Sequence, residues 1–195
     1  MYDICVRTAD GGGDARGQYS SDRLMGDLFA APYVTLEPEH GHVLDDGAGN
    51  VVGYIVGCAD TAVFVQRYRD EWIPALAGIW AEPPDPPRNR EQAMLALHHH
   101  PERRLVPELA AYPAHLHIDL LPQWQRRGFG RALMTALLAG LAGAGVPAVH
   151  LGMLSTNDAA RAFYLSLGFA DLPVADTGLL AFLGRSTAPA TDRDR

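Results

Sequence analysis

The chain has 195 residues, 48% of them hydrophobic, with a formal net charge of −7 and two cysteines. That length suits one domain with a full core. The acidic balance argues against nonspecific nucleic-acid binding, and Cys5 and Cys58 form no disulfide framework, which fits a reducing cytoplasm. Residues 1–20 lack a basic segment followed by an apolar one, and no long apolar run occurs anywhere. The expectation is therefore a soluble cytoplasmic protein without a membrane partner.

In chain order, residues 2–7 alternate apolar Tyr2, Ile4 and Val6 and predict a first strand. A Gly- and Asp-rich loop follows over 9–19, then a short helix over 22–30 that Pro32 limits. Strands over 42–45 and 51–59 flank the turn Asp45-Asp46-Gly47-Ala48-Gly49-Asn50, a strong hairpin signal. Residues 63–76 look helical, 82–87 form a stiff Pro-rich connector, and 90–100 form a second helix ended by Pro101. The consecutive His98, His99 and His100 do not share a helical face and read as a polar helix end.

The next stretch carries the chemistry. Residues 115–121 alternate, with His115, His117 and Asp119 on one face and Leu116, Ile118 and Leu120 on the other, and Pro122 ends the strand. From Arg131 the apolar positions Leu133, Met134, Leu137, Leu138 and Leu141 recur at helical spacing. Between strand and helix sit Gln125, Arg126, Arg127, Gly128, Phe129 and Gly130. Glycines let the backbone approach a ligand, and the free N–H groups of the first helical turn then point at it with the helix dipole behind them. With the three arginines this is an anion cradle suited to a pyrophosphate. No Gly-Lys-Ser/Thr follows, and no third glycine completes a dinucleotide fingerprint.

Downstream, 148–153 reads as a short strand. Ser155, Thr156 and Asn157 offer capping oxygens for a helix from Asp158 that stops at Gly168. Asn157 and Tyr164 lie two helical turns apart and face the same way. A last strand is expected over 177–184, and 186–195 is expected to be a disordered tail.

The loop Q-x-x-G-x-G, placed between strand and helix, and the later N-x-x-A-x-x-F-Y-x-x-L-G-F resemble the two halves of the acetyl-CoA site of the Gcn5-related N-acetyltransferase (GNAT) superfamily. The stretch from 59 to 112, with its flanking segments and the terminal LAFLGRS, is similar to bacterial relatives of the acetyltransferase-like C-terminal domain of eukaryotic O-GlcNAcases. The resemblance implies one α/β domain over 1–185, a mixed central sheet flanked by helices with a helical insertion at about 60–112. The cofactor-binding set it implies is Ile118, Asp119 and Leu120 on the strand, the loop from Gln125 to Arg131, and Asn157, Ala160, Phe163 and Tyr164. There Asn157 touches the pantetheine arm, an N–H near Leu120 polarises the thioester carbonyl, and the Tyr164 hydroxyl sits near the sulfur.

An amine attacks that carbonyl directly, so a base and an acid are needed. Asp119 is the candidate base, with His117 and Asp158 behind it, and Tyr164 is the candidate acid. The reading has acetyl-CoA as substrate, no metal, an unknown amine acceptor walled by the insertion, and a monomer or homodimer. Two alternatives stand beside it. One is a module that binds acetyl-CoA or CoA without turnover. The other, remote, is a metal hydrolase using His115, His117 and Asp119, although Asp119 is followed by Leu120 where such motifs continue with a histidine.

Overall fold

The computed structural model describes residues 1–175 and 177–188. Six strands form one mixed sheet in the order β1-β2-β3-β4-β6-β5. They are β1 (Gly41–Asp45), β2 (Val51–Cys58), β3 (Ala114–Leu120), β4 (Ala148–Leu154), β5 (Ala170–Leu172) and β6 (Leu180–Ser186). The hairpin between β1 and β2 forms as its sequence dictates: Gly47 and Gly49 take positive φ, and Asp45 and Asp46 accept N–H bonds from the turn backbone.

Only the contact between β3 and β4 is parallel, and it is brief. Pairing covers Ala114↔Val149 and His115↔His150, yet β3 continues to Leu120 and β4 to Leu154. Beyond His115 the two strands part, while β3 stays paired along its other edge to β2 through Gly53↔Leu120. The sheet thus opens into a V whose β3 side presents backbone groups with no partner strand.

Each face of the sheet has its own core. One is covered by α1 (Tyr2–Val6), α2 (Arg23–Phe29), α3 (Ala31–Leu36), α4 (Thr61–Arg67) and α6 (Arg90–His99), with Tyr33, Tyr54, Phe64, Tyr68 and Trp72 buried together. The other is covered by α7 (Phe129–Gly143), whose Leu133, Met134, Leu137, Leu138 and Leu141 make the expected stripe, and by α8 (Asp158–Leu165). A wider helical turn over Tyr68–Trp72 joins α4 to α5 (Ile73–Ala75).

Three expectations are corrected. Residues 2–6 are helical, not a strand: Ile4, Cys5 and Val6 are all buried, which an alternating strand with one solvated face would not permit, and Asp3 pairs with Arg7 one turn on. As expected, α2 ends short of Pro32, at Phe29, and Pro32 then occupies the first turn of α3, where its missing N–H costs nothing. His98 is buried, not part of a polar helix end; its Nδ1 lies 2.9 Å from the Tyr68 hydroxyl, and burial lowers its pKa to about 4. The last strand extends to Ser186, and Thr187 is buried behind it with its hydroxyl donating to the Val146 carbonyl. The remainder of the expected tail, 189–195, lies outside the described residues.

The insertion is an integral layer. Trp72 Nε1 donates to the Asp27 carbonyl and Trp80 Nε1 to the Asp27 carboxylate, both at 2.9 Å, so the insertion is fastened to α2. At the start of α6, Glu91 accepts from the backbone and hydroxyl of Ser20, and Arg90 reaches Asp10 and Gln18. The insertion therefore grips the loop that follows α1. That loop lies against the V, because Gly11 accepts a hydrogen bond from Asn157 at the start of α8.

Candidate active site

The glycine loop has the local geometry its sequence predicts. Arg126 and Gly128 take φ of 56° and 86°, and Gly128 serves as the N-cap of α7 without any side-chain cap. The first amides of a 15-residue helix are thereby left to an outside acceptor. A Cβ at Gly128 would meet nothing within 4 Å, so the loop faces open space there. Gly130 has another reason to be glycine: a Cβ would come within 3.1 Å of the Phe163 ring.

The arginines divide their roles. Arg127 lies over Trp124 and Phe129, at 4.9 and 5.3 Å from the ring centroids. Arg131 turns toward α8, donating to the carbonyl and hydroxyl of Ser166 at 3.3 Å. Arg126 makes no side-chain hydrogen bond to the described residues and is exposed. Gln125 folds back, its Nε2 donating to the Leu120 carbonyl at 2.9 Å, and so ties the loop to the end of β3. Exposed glycine backbone, an uncapped helix start and an uncommitted arginine fit a pyrophosphate.

Asn157 caps α8 by accepting from the Ala160 N–H at 3.0 Å, and its Nδ2 donates to Gly11 at 3.1 Å. Both ends of its amide are occupied within the protein. Ala160, Phe163, Tyr164, Ile118 and Leu120 pack together on the α7 side of the sheet. The Tyr164 ring sits between Phe163 and Phe169, and its hydroxyl makes no hydrogen bond to the described residues. Burial, and then the charge of Asp119, push its pKa upward, so the hydroxyl stays protonated.

Asp119 receives two hydroxyls, Thr8 Oγ1 at 2.8 Å and Tyr54 Oη at 2.5 Å. Burial raises its pKa, and the two donors pull the other way without cancelling the shift. Cys5, buried beside it, is pushed up to about 12 by burial and by the Asp119 charge, and stays an unreactive thiol. Asp158 stands in the first turn of α8.

His115 is absorbed by hydrogen bonds, and His117 is held through one nitrogen, its Nε2 lying 3.0 Å from the Tyr33 hydroxyl. His115 Nε2 lies 2.7 Å from the Tyr33 hydroxyl and its Nδ1 2.8 Å from Thr61 Oγ1, so neither nitrogen is left to ligate a metal. Tyr33 and Thr61 were not singled out from the sequence. They stand 82 and 54 residues from His115 along the chain, and no local pattern marks them.

The V-shaped sheet and the glycine loop feeding α7 define a class, the acetyltransferases of the GNAT fold. The family model for the acetyltransferase (GNAT) domain matches residues 93–171. The crystal structure of SsHAT is 57% identical, with 96% of this chain and 92% of that one covered and a TM-score of 0.92. The chain belongs to the GNAT acetyltransferase family. A mycothiol acetyltransferase of Nocardiopsis dassonvillei is 46% identical over 68 residues, 35% of this chain, and the chain covers 20% of that relative's length. PH1933 from Pyrococcus horikoshii OT3, at 16% identity and a TM-score of 0.57 over 96% of this chain and 91% of that one, shares the fold. No helix among the described residues is long and apolar enough to cross a membrane.

Proposed function

We propose that the protein transfers the acetyl group of acetyl-CoA to an amine by direct attack, with Asp119 as proton acceptor and Tyr164 as proton donor. The observation that supports the reading is the glycine loop that leaves the first amides of α7 open beside the unpaired edge of β3, a strand that carries Asp119 near its end, with the Tyr164 hydroxyl of α8 making no hydrogen bond among the described residues. Two titratable groups whose surroundings set them to opposite tasks are the mark of an acid–base pair. Acetyl-CoA supplies the activated thioester. The chain's part is to hold the pyrophosphate at 125–131, to line the arm along the unpaired edge of β3, to take the amine proton on Asp119, and to offer the Tyr164 proton to the departing sulfur.

The roles separate experimentally. Tyr164→Phe keeps the ring packing and should lower kcat about 100-fold, the low end for a lost general acid because a thiolate leaves readily, with acetyl-CoA affinity unchanged by calorimetry. Asp119→Asn should remove the acidic limb of the pH–rate profile. Full activity in both variants across the pH range would overturn the assignment, and acetyl-CoA binding without turnover of any amine would make the protein a binding module.

Stability gives an independent check. A raised native pKa means that the folded protein holds the Asp119 proton more tightly than the unfolded chain does. This carboxyl's contribution to stability is then present at low pH and is lost as pH rises through the native pKa. Asp119→Asn should accordingly raise Tm at neutral pH and leave it unchanged in acid, a gain in stability at the expense of activity. A variant less stable at neutral pH than in acid, relative to the parent, would show that the carboxylate is a structural anchor.

A further inference from the structure

At the end of α1 three oxygens share one hydroxyl proton, and Asp119 supplies one of them. Thr8 Oγ1 lies 2.9 Å from the Ile4 carbonyl, 3.2 Å from the Cys5 carbonyl and 2.8 Å from Asp119 Oδ1. A threonine hydroxyl carries a single proton, whereas carbonyls and ionised carboxylates only accept. The Cys5 carbonyl has another donor, the Thr8 N–H at 3.2 Å. The Ile4 carbonyl has no backbone donor among the described residues, because Arg7 sends its N–H to Asp3 and Thr8 sends its own to Cys5. Ile4 is buried, so its carbonyl depends on the Thr8 hydroxyl.

Counting protons separates the two states of Asp119. With the carboxylate ionised, the Thr8 proton serves either Asp119 or Ile4 and leaves the other short, and an unpaired buried acceptor is costly. With Asp119 protonated on Oδ1, the acid donates to Thr8, Thr8 donates to Ile4, and every group is paired. Tyr54 selects Oδ1 for that proton. Its hydroxyl donates to Oδ2 at 2.5 Å and makes no other hydrogen bond to the described residues, so a proton on Oδ2 would strand the tyrosine's own. The titratable groups that feel the Asp119 charge are Cys5 on α1, Tyr54 on β2 and Tyr164 on α8, and burial keeps all three protonated.

We propose that Thr8 is a positioning residue for Asp119, its hydroxyl turning from the carboxylate to the Ile4 carbonyl as Asp119 takes up the proton of the acceptor. This rests on the acetyl-transfer reading above and adds a residue to it. The N–H bond of the amine breaks, its electron pair stays on nitrogen, and the proton goes to Asp119 Oδ1 and turns about the C–O bond to face Thr8. Thr8 keeps its own proton throughout, and its oxygen accepts where it had donated. A hydroxyl can partner both forms of an acid, which neither an amide N–H nor a carbonyl can do. The same turn gives Ile4 its missing donor. Proton uptake therefore fastens the root of the loop after α1, where the Gly12 N–H bonds the Thr8 carbonyl at 3.1 Å.

Carbon NMR on the free protein, labelled in aspartate and isoleucine, tests the reversal without any acceptor. The Ile4 carbonyl shift should titrate with the Asp119 carboxyl at one midpoint. Asp119→Asn, whose amide donates to Thr8 at all times, should hold Ile4 at its acid value at every pH. Thr8→Ser should keep the joint titration, and Thr8→Val should leave Asp119 titrating while Ile4 stays silent. An Ile4 carbonyl that ignores Asp119 in the parent, or still follows it in Thr8→Val, overturns the proposal. In turnover, the acidic limb of kcat/KM that Asp119→Asn removes should fall at the midpoint of the joint titration, because that limb reports the free protein. A limb that falls elsewhere, or survives in Asp119→Asn, would overturn the part of both residues in acetyl transfer, while the reversal seen by NMR would stand.

Discussion

Gly128→Glu should abolish acetyl-CoA binding while the protein stays folded. Two quantities decide it. The position has φ of 86°, in the left-handed region, so any side chain there carries roughly 1–2 kcal/mol of backbone strain. A Cβ meets nothing within 4 Å, so no clash is added. A carboxylate at the start of α7 is also favoured by the helix dipole by roughly 0.3–1 kcal/mol, which offsets part of the strain. The fold should therefore lose about 1 kcal/mol or less. Binding meets the opposite balance, because the glutamate occupies the place of the pyrophosphate and satisfies the same amides internally. Calorimetry should detect no heat of acetyl-CoA binding, and the rise in Tm that saturating acetyl-CoA confers on the parent by mass action should vanish. Unchanged affinity in a folded variant would move the pyrophosphate site elsewhere.

That loop was legible because everything that shapes it is local. Left-handed glycine, strand end and helix start fall within ten residues, and the apolar stripe of α7 follows at once. The same holds for the β1–β2 turn, whose aspartates bond amides two to four residues away. The N-terminal helix is hidden in the sequence for the complementary reason. Five residues with apolar positions 2, 4 and 6 satisfy a strand pattern, and what makes them helical is burial against α2. β5 has three residues, too few to carry a period, and exists through its pairing with β6. The arginines of the loop looked alike in sequence, yet Arg131 is held by Ser166, 35 residues downstream, and Arg127 by two aromatic rings. Asn157 was recognised as both cap and site residue, and its cap is formed. Least visible was the partner set of His115 and His117. The H-x-H-x-D alternation suggested ligands, while tertiary packing brought a tyrosine and a threonine to both nitrogens of His115.

The placement of the insertion also changes what a test of it must be. Removing residues 90–100 would take Leu95, Ala96 and His98 out of the core, so the loss of fold would mask any effect on the acceptor. The informative contact is the one between the insertion and α2, and it converges on Asp27. This carboxylate is fully buried and accepts from the Tyr2 hydroxyl, from Arg23 Nε at 2.9 Å and from Trp80 Nε1 at 2.9 Å. Asp27→Ala removes the acceptor for three donors on three separate segments. Arg23 is half exposed and can turn to water, which limits its share. Tyr2 and Trp80 cannot do so as freely, and a cavity adds to the cost. The expected destabilisation is about 3 kcal/mol, the lower end for breaking a buried charged cluster. For a domain of this size that is a fall in Tm of roughly 6–12 °C. Trp80→Phe, which deletes one neutral donor and trims a half-buried indole to a phenyl ring, should cost only about 1–2 kcal/mol. The loosening should spread along the chain of contacts, since α6 would no longer hold Asp10 and Gln18 firmly through Arg90. Amide exchange should therefore accelerate over 8–20 in Asp27→Ala, well before it does so in β3 or α7. Equal acceleration everywhere, or an unchanged Tm, would show that Asp27 does not fasten the insertion to the domain.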